Sequence, residues 1–294
     1  MKFEGVYVAL ATPFRKDGEV CYDGLQRLLR RIADQKAQGF VPCATTGEGP
    51  TLLPSERQKI IEMTVQFGKA HGLQTIAGCS SNDTREAVAL TQAARDLGCD
   101  AALVVTPYYN RPTKAGVVAH YEKIAESGGL PVLLYNVPGR TALSLSPETV
   151  FELLAHPNIV GIKEASGQYS QWLALASGMD WTEKSLLSGD DDCLAPVMAL
   201  GGCGIISASA NVATSYFVAI YEAARRGDWP TAFALQKKIF PLVRAMFAET
   251  NPAPVKFALS ELGVTEETLR LPLVPVANAT RDLVRDALRT LEVR

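Results

Sequence analysis

Histidine is scarce in this 294-residue chain: His71, His120 and His156 are all there are, and none stands in an HExxH or HxH spacing. The six cysteines (Cys21, Cys43, Cys79, Cys99, Cys193, Cys203) include no CxxC pair. Zinc and iron frames are therefore not expected, and in a reducing compartment the thiols read as small buried hydrophobes. No apolar run reaches the roughly 18 residues that span a bilayer. The charge is balanced, 29 basic against 31 acidic residues with no basic block, which argues against nucleic-acid binding. There is no P-loop and no GxGxxG, so nucleotide binding lacks support. Phe3-Glu4-Gly5 and the short run to Ala11 do not form a signal peptide, and a cytoplasmic location is expected. Chemistry has to come from lysine, hydroxyls, carboxylates and backbone.

What the chain does have is a rhythm. Short runs rich in Val, Ile and Leu alternate with longer amphipathic stretches. Strands are predicted at Gly5–Ala11, Phe40–Ala44, Gln74–Ala77, Ala101–Val105, Pro131–Tyr135, Ile159–Ile162, Ser185–Leu187 and Gly204–Ser207. Most lack clean alternation, as in a parallel sheet covered on both faces. Helices are predicted at Tyr22–Gln38, Ser55–His71, Thr84–Leu97, Ala115–Ser127 and Pro147–Ala155. Ser55, Asp83 and Ser146 read as opening signals, and Gly39, Gly72 and Gly98 as closing ones. Eight such units predict an α/β fold, a (β/α)8 TIM barrel of residues 1–224. The remainder, 225–294, reads as a C-terminal helical domain, with helices at Ser215–Arg226, Trp229–Glu249, Val255–Leu262 and Thr280–Leu291.

Every predicted strand ends in hydroxyls, amides or charges, and in a barrel those ends share one mouth. The most informative of them is Lys163, closing the apolar run Asn158-Ile159-Val160-Gly161-Ile162. Burial disfavours a charged ammonium, and a neutral amine attacks carbonyls to form a Schiff base. Alone, such a lysine can equally lay its stem on apolar surface with its head in water or paired to Glu164. Tyr135 ends the preceding strand, either as a proton shuttle or as packed area. Thr45-Thr46-Gly47 is a turn whose N–H groups can hold a carboxylate, or a plain tight turn. Arg140, in Val137-Pro138-Gly139-Arg140-Thr141, can clamp a second carboxylate or stand solvated.

Thr45-Thr46-Gly47-Glu48, Thr106-Pro107-Tyr108-Tyr109-Asn110-Arg111-Pro112, Tyr135-Asn136-Val137-Pro138-Gly139-Arg140-Thr141, Ile162-Lys163-Glu164-Ala165-Ser166-Gly167 and Ser188-Gly189-Asp190-Asp191 together resemble the dihydrodipicolinate synthase family of pyruvate-dependent class I aldolases and lyases. The resemblance extends to Asn251-Pro252-Ala253-Pro254-Val255-Lys256 and covers nearly the whole chain. It implies that Lys163 forms the Schiff base with pyruvate and that Tyr135 moves protons. Thr45 and Tyr109 would complete a relay, Tyr109 coming from a neighbouring subunit of a homo-oligomer, a dimer of dimers. Thr46 would hold the pyruvate carboxylate and Arg140 that of L-aspartate 4-semialdehyde, with Gly189 and Ile206 supplying carbonyls. No metal or organic cofactor is implied. Sugar-acid lyases of the same superfamily carry Ser-Thr-Gly-Glu and lack an arginine matching Arg140, so those two features separate them. A catalytically silent acid-binding barrel differs by taking no covalent adduct. Asn82, Glu86 and Tyr108 match the family's L-lysine effector site, whereas Gly49, Pro54 and Arg57 depart from it.

Overall fold

Residues 2–293 are described by a computed structural model. Its strands are β1 (Gly5–Ala9), β2 (Gly39–Val41), β3 (Gln74–Gly78), β4 (Ala101–Val105), β5 (Val132–Asn136), β6 (Ile159–Glu164), β7 (Ser185–Ser188) and β8 (Gly204–Ser207). All neighbours pair in parallel and β8 returns to β1, closing the predicted barrel. The main helices between them are α1 (Tyr22–Asp34), α2 (Pro54–His71), α3 (Thr84–Asp96), α4 (Lys114–Ser127), α5 (Pro138–Thr141), α6 (Pro147–Leu154), α7 (Tyr169–Gly178) and α8 (Leu194–Ala199). After β8 come α9 (Ala210–Arg225), α10 (Trp229–Met246), α11 (Ala253–Glu261) and α12 (Asn278–Leu291). Among the described residues no helix is long and apolar enough to cross a membrane.

Strand alternation divides the core in two. Val6 and Val8 join the outer layer under the helices, while Tyr7 and Ala9 fill the barrel interior. On β5 the outward set is Val132 and Leu134, the inward set Leu133 and Tyr135. β6 breaks the alternation. Ile159 lies outside, yet Gly161 pairs with the inward Leu133, because the register shifts between Val132 and Leu133 and Val160 has no partner on β5. That one extra residue reverses the phase of everything after it, so Lys163 faces inward opposite Tyr135. Gly161 permits the arrangement: a Cβ there would stand 2.3 Å from the Ser185 carbonyl oxygen.

Several boundaries differ from expectation for local reasons. β2 stops at Val41 because Pro42 has no N–H to give and Cys43 takes φ 58°. α1 ends at Asp34, and Gly39 belongs to β2 rather than to the end of that helix. α2 starts at Pro54, its first turn closed by Glu56 accepting from the Leu53 N–H, so Ser55 is not its cap. Asp83 and Ser146 do cap α3 and α6. β6 continues through Glu164, so Lys163 lies within the strand rather than at its tip. α7 and α8 were not predicted, and α9 begins at Ala210 instead of Ser215. The polar start of α9 reads as loop, but Asn211 uses its carboxamide to grip the Ala11 N–H and the Ala9 carbonyl of the first strand region.

Candidate active site

Lys163 and Tyr135 are register partners, and the Lys163 Nζ stands 4.2 Å from the centroid of the Tyr135 ring. Both are buried, at 6% and 7% exposure. Gly189, just after β7, donates its N–H to the Glu164 carbonyl, and an added Cβ would lie 2.9 Å from Lys163 Cε. Its lack of a side chain is what lets this loop lie on the lysine stem. Ile206 is fully buried in the same interior cluster as Tyr135. Glu164 points outward and is held by Asn136 Nδ2 at 2.8 Å and the Ser166 N–H at 2.7 Å. Burial pushes its carboxyl above the usual range, against those donors.

Two further carboxylates follow Gly189. Asp190 accepts from the Gly167 N–H, and burial pushes it up to about 6. Asp191 is 2% exposed; one oxygen accepts from the Ser209 N–H at 2.7 Å while the other has no hydrogen-bond partner among the described residues. Burial raises its carboxyl too, opposed by the Ser209 and Ser207 hydroxyls and by the charge of Lys163.

A cavity of about 920 Å³ opens at the mouth, with Thr45, Tyr135, Arg140 and Asn251 in its wall. Thr46 is buried behind it, its hydroxyl oxygen accepting from Asn251 Nδ2 at 3.0 Å. The Asn251 carbonyl accepts from Arg140 Nη2 at 3.3 Å, so one residue of the C-terminal region touches both predicted carboxylate holders. Sequence reasoning missed Asn251; a polar residue ahead of Pro-Ala-Pro in a helical tail reads as a turn. Lys256 is the other buried lysine. Burial pushes its amine down to about 8, yet it is 1% exposed and paired with Glu48.

Tyr109 is not brought to the mouth of its own chain: it is 91% exposed, with φ 69°. Tyr108, Glu86, Gly49 and Arg57 line the same cavity toward its rim. Asn82 lies beside them, donating to the Tyr108 carbonyl. The Arg57 guanidinium turns inward, donating to the Gly78 and Cys43 carbonyls.

Fold and site thus define a parallel eight-stranded barrel with an amine and a phenol buried side by side at its mouth. The model of the dihydrodipicolinate synthetase family matches residues 2–291. The chain belongs to that family. It is 44% identical to the 4-hydroxy-tetrahydrodipicolinate synthase of Methanothrix thermoacetophila, over 97% of this chain and 96% of that one. The enzyme of the same name from Methanoculleus marisnigri is 43% identical over 97% and 98%. Among solved structures, the chloride-inhibited dihydrodipicolinate synthase of Acinetobacter baumannii complexed with pyruvate aligns with TM-score 0.96 at 41% identity, covering 99% of both chains.

Asp190 yields a pH test. Its folded carboxyl titrates near 6 against an ordinary 3.8, so between those values the folded state holds more protons than the unfolded. Its contribution to stability is complete below about pH 3.8 and is lost as pH rises through about 6. The melting temperature of the wild type should therefore change more steeply downward across that window than that of Asp190→Asn. Parallel melting curves at each pH would refute the assignment.

Proposed function

We infer that this enzyme condenses pyruvate with L-aspartate 4-semialdehyde, as 4-hydroxy-tetrahydrodipicolinate synthases do, in the route to diaminopimelate and lysine. The observation that carries the chemistry is the inward Lys163 beside Tyr135. The amine of Lys163 adds to the pyruvate carbonyl, and loss of water leaves an iminium that draws electrons from the adjacent methyl. A methyl proton leaves by way of Tyr135, and the enamine carbon bonds to the aldehyde carbon of the second substrate. The amino group of that substrate then takes the imine carbon, closes the ring and frees the lysine. Thr45 and the partner's tyrosine at position 109 pass protons to and from Tyr135. Thr46 and its turn hold the pyruvate carboxylate, Arg140 holds that of the semialdehyde, and the backbone at Gly189 and Ile206 lines the reacting end. Helical segment 225–294 serves as a supporting domain, and the setting is cytoplasmic.

Pyruvate with borohydride should leave a covalent adduct on Lys163, mapped by peptide mass spectrometry. An adduct on Lys256 or Lys184, or none, would refute the Schiff-base assignment. Arg140→Ala should still take that adduct but lose about 10–100-fold in kcat/KM for the semialdehyde. Unchanged kinetics would make Arg140 a solvated loop residue.

We read the assembly as a dimer of dimers. The exposure of Tyr109 on the loop after β4 supports its entry into a neighbour's mouth, and Tyr169 and Leu173 form a second exposed apolar patch on α7. Sedimentation should show a dimer or tetramer at assay concentration, with Tyr109→Phe impaired; a fully active monomer would rule this out.

L-lysine is expected to inhibit weakly or not at all. Gly49 offers no hydroxyl, Pro54 no donor, and Arg57 points its donors at backbone carbonyls. Half-inhibition below about 1 mM, near 4 kcal/mol of binding, would show that the remaining groups suffice.

A further inference from the structure

Behind the Thr45-Thr46-Gly47 turn lies a buried charged network that the reaction above does not use. Glu48 follows the turn with φ 53°, its N–H donating to the Thr45 carbonyl at 3.1 Å. Its carboxylate pairs with Lys256 of α11, and both side chains are 1% exposed. The second carboxylate oxygen accepts from the Arg270 N–H at 3.0 Å. Lys256 also donates to the Thr268 carbonyl at 2.8 Å and stands 3.8 Å from the centroid of the Phe14 ring. The Arg270 side chain reaches the Thr51 carbonyl at 2.8 Å and Glu56, on the far side of the same loop.

An ion pair this deep is no efficient source of stability, since apolar replacements of the same shape often do as well. Its position suggests another use. The residue whose left-handed backbone ends the turn is the residue whose carboxylate is fixed, and every partner of that carboxylate lies in the C-terminal region. We propose that Glu48 and Lys256 are a positioning pair: anchored by residues 256–270, they hold the Thr45–Gly49 turn in the shape that receives the substrate carboxylate. The inference rests on the reading of that turn as the carboxylate holder. Lys256 also neutralises an anion that would otherwise repel the incoming carboxylate from behind the turn.

The test is the pyruvate concentration giving half-maximal borohydride-trapped adduct on Lys163. It is measured in the wild type, Thr46→Val, Lys256→Met and the double variant Glu48→Gln/Lys256→Met. The double variant removes both charges, should melt close to the wild type, and carries the test if Lys256→Met alone does not fold. Its half-saturation should rise about tenfold, with the adduct yield at saturating pyruvate within about twofold of wild type. Lys256→Met should be worse, because it leaves Glu48 buried and unpaired. A folded double variant with unchanged half-saturation, while Thr46→Val raises it, overturns the pairing role. A loss of yield that merely follows loss of folded protein also overturns it, as a purely structural effect. No effect of Thr46→Val overturns the turn reading itself, and the inference with it.

Discussion

One surplus residue in β6 decides which way the Lys163 amine faces. Strand side chains alternate strictly, so a lysine four positions after the outward Ile159 belongs among the helices. Val160 without a partner on β5 shifts the register and turns Lys163 into the barrel. Gly161 makes the shift possible, because only hydrogen fits against the Ser185 carbonyl. The pairing of Lys163 with Tyr135, the approach of Gly189 to the lysine stem and the outward placement of Glu164 all follow from this irregularity.

A barrel interior suits such an amine for electrostatic reasons. Its register partners are Tyr135 and Leu187, and Leu133 and Ile206 fill the same barrel interior. The ring face of Tyr135 supplies a weak attraction for positive charge and keeps a phenol within reach of anything bonded to the lysine. Asp191, buried one residue beyond Asp190, adds a carboxylate whose field reaches Lys163. One of its oxygens has no hydrogen-bond partner among the described residues.

Much of this was legible in the sequence, and the failures have physical causes. Barrel topology followed from eight apolar runs, and the mouth from their polar ends. Lys163 stands out because a lysine does not belong at the end of a buried strand, and Tyr135 because it ends the strand before it. The bulge was invisible, since Val160-Gly161 reads as ordinary strand; so was the consequence that Lys163 lies inside β6. Helices α7 and α8 hid behind a polar opening and a proline, Gln168 before the one and Pro196 within the other. Asn251, Glu48 and Asp191 were missed or left without a role for a common reason. Their significance lies in contacts between segments far apart in the chain, such as the 205 positions separating Asn251 from Thr46.

The two fully enclosed lysines show why residue type alone does not assign chemistry. Lys163 and Lys256 both end in amines hidden from water, and both lie over aromatic rings. Lys256 has a carboxylate and a backbone carbonyl as well, and Glu48 opposes the burial that pushes its amine down to about 8. No hydrogen-bonded acceptor binds Lys163 among the described residues, and one side of its surroundings is Gly189 backbone rather than side chain. An amine with satisfied partners is a structural cation; one that meets a ring face and a glycine is not tied to a carboxylate in that way. The difference lies in the neighbours: β7 is followed by Gly189, without a side chain, beside Lys163, whereas the turn after β2 presents Glu48 to Lys256. The same polarity that ties Lys256 to Glu48 equips it to hold that turn, so the barrel strands carry one buried lysine beside Tyr135 and the C-terminal helices contribute the other to the turn after β2.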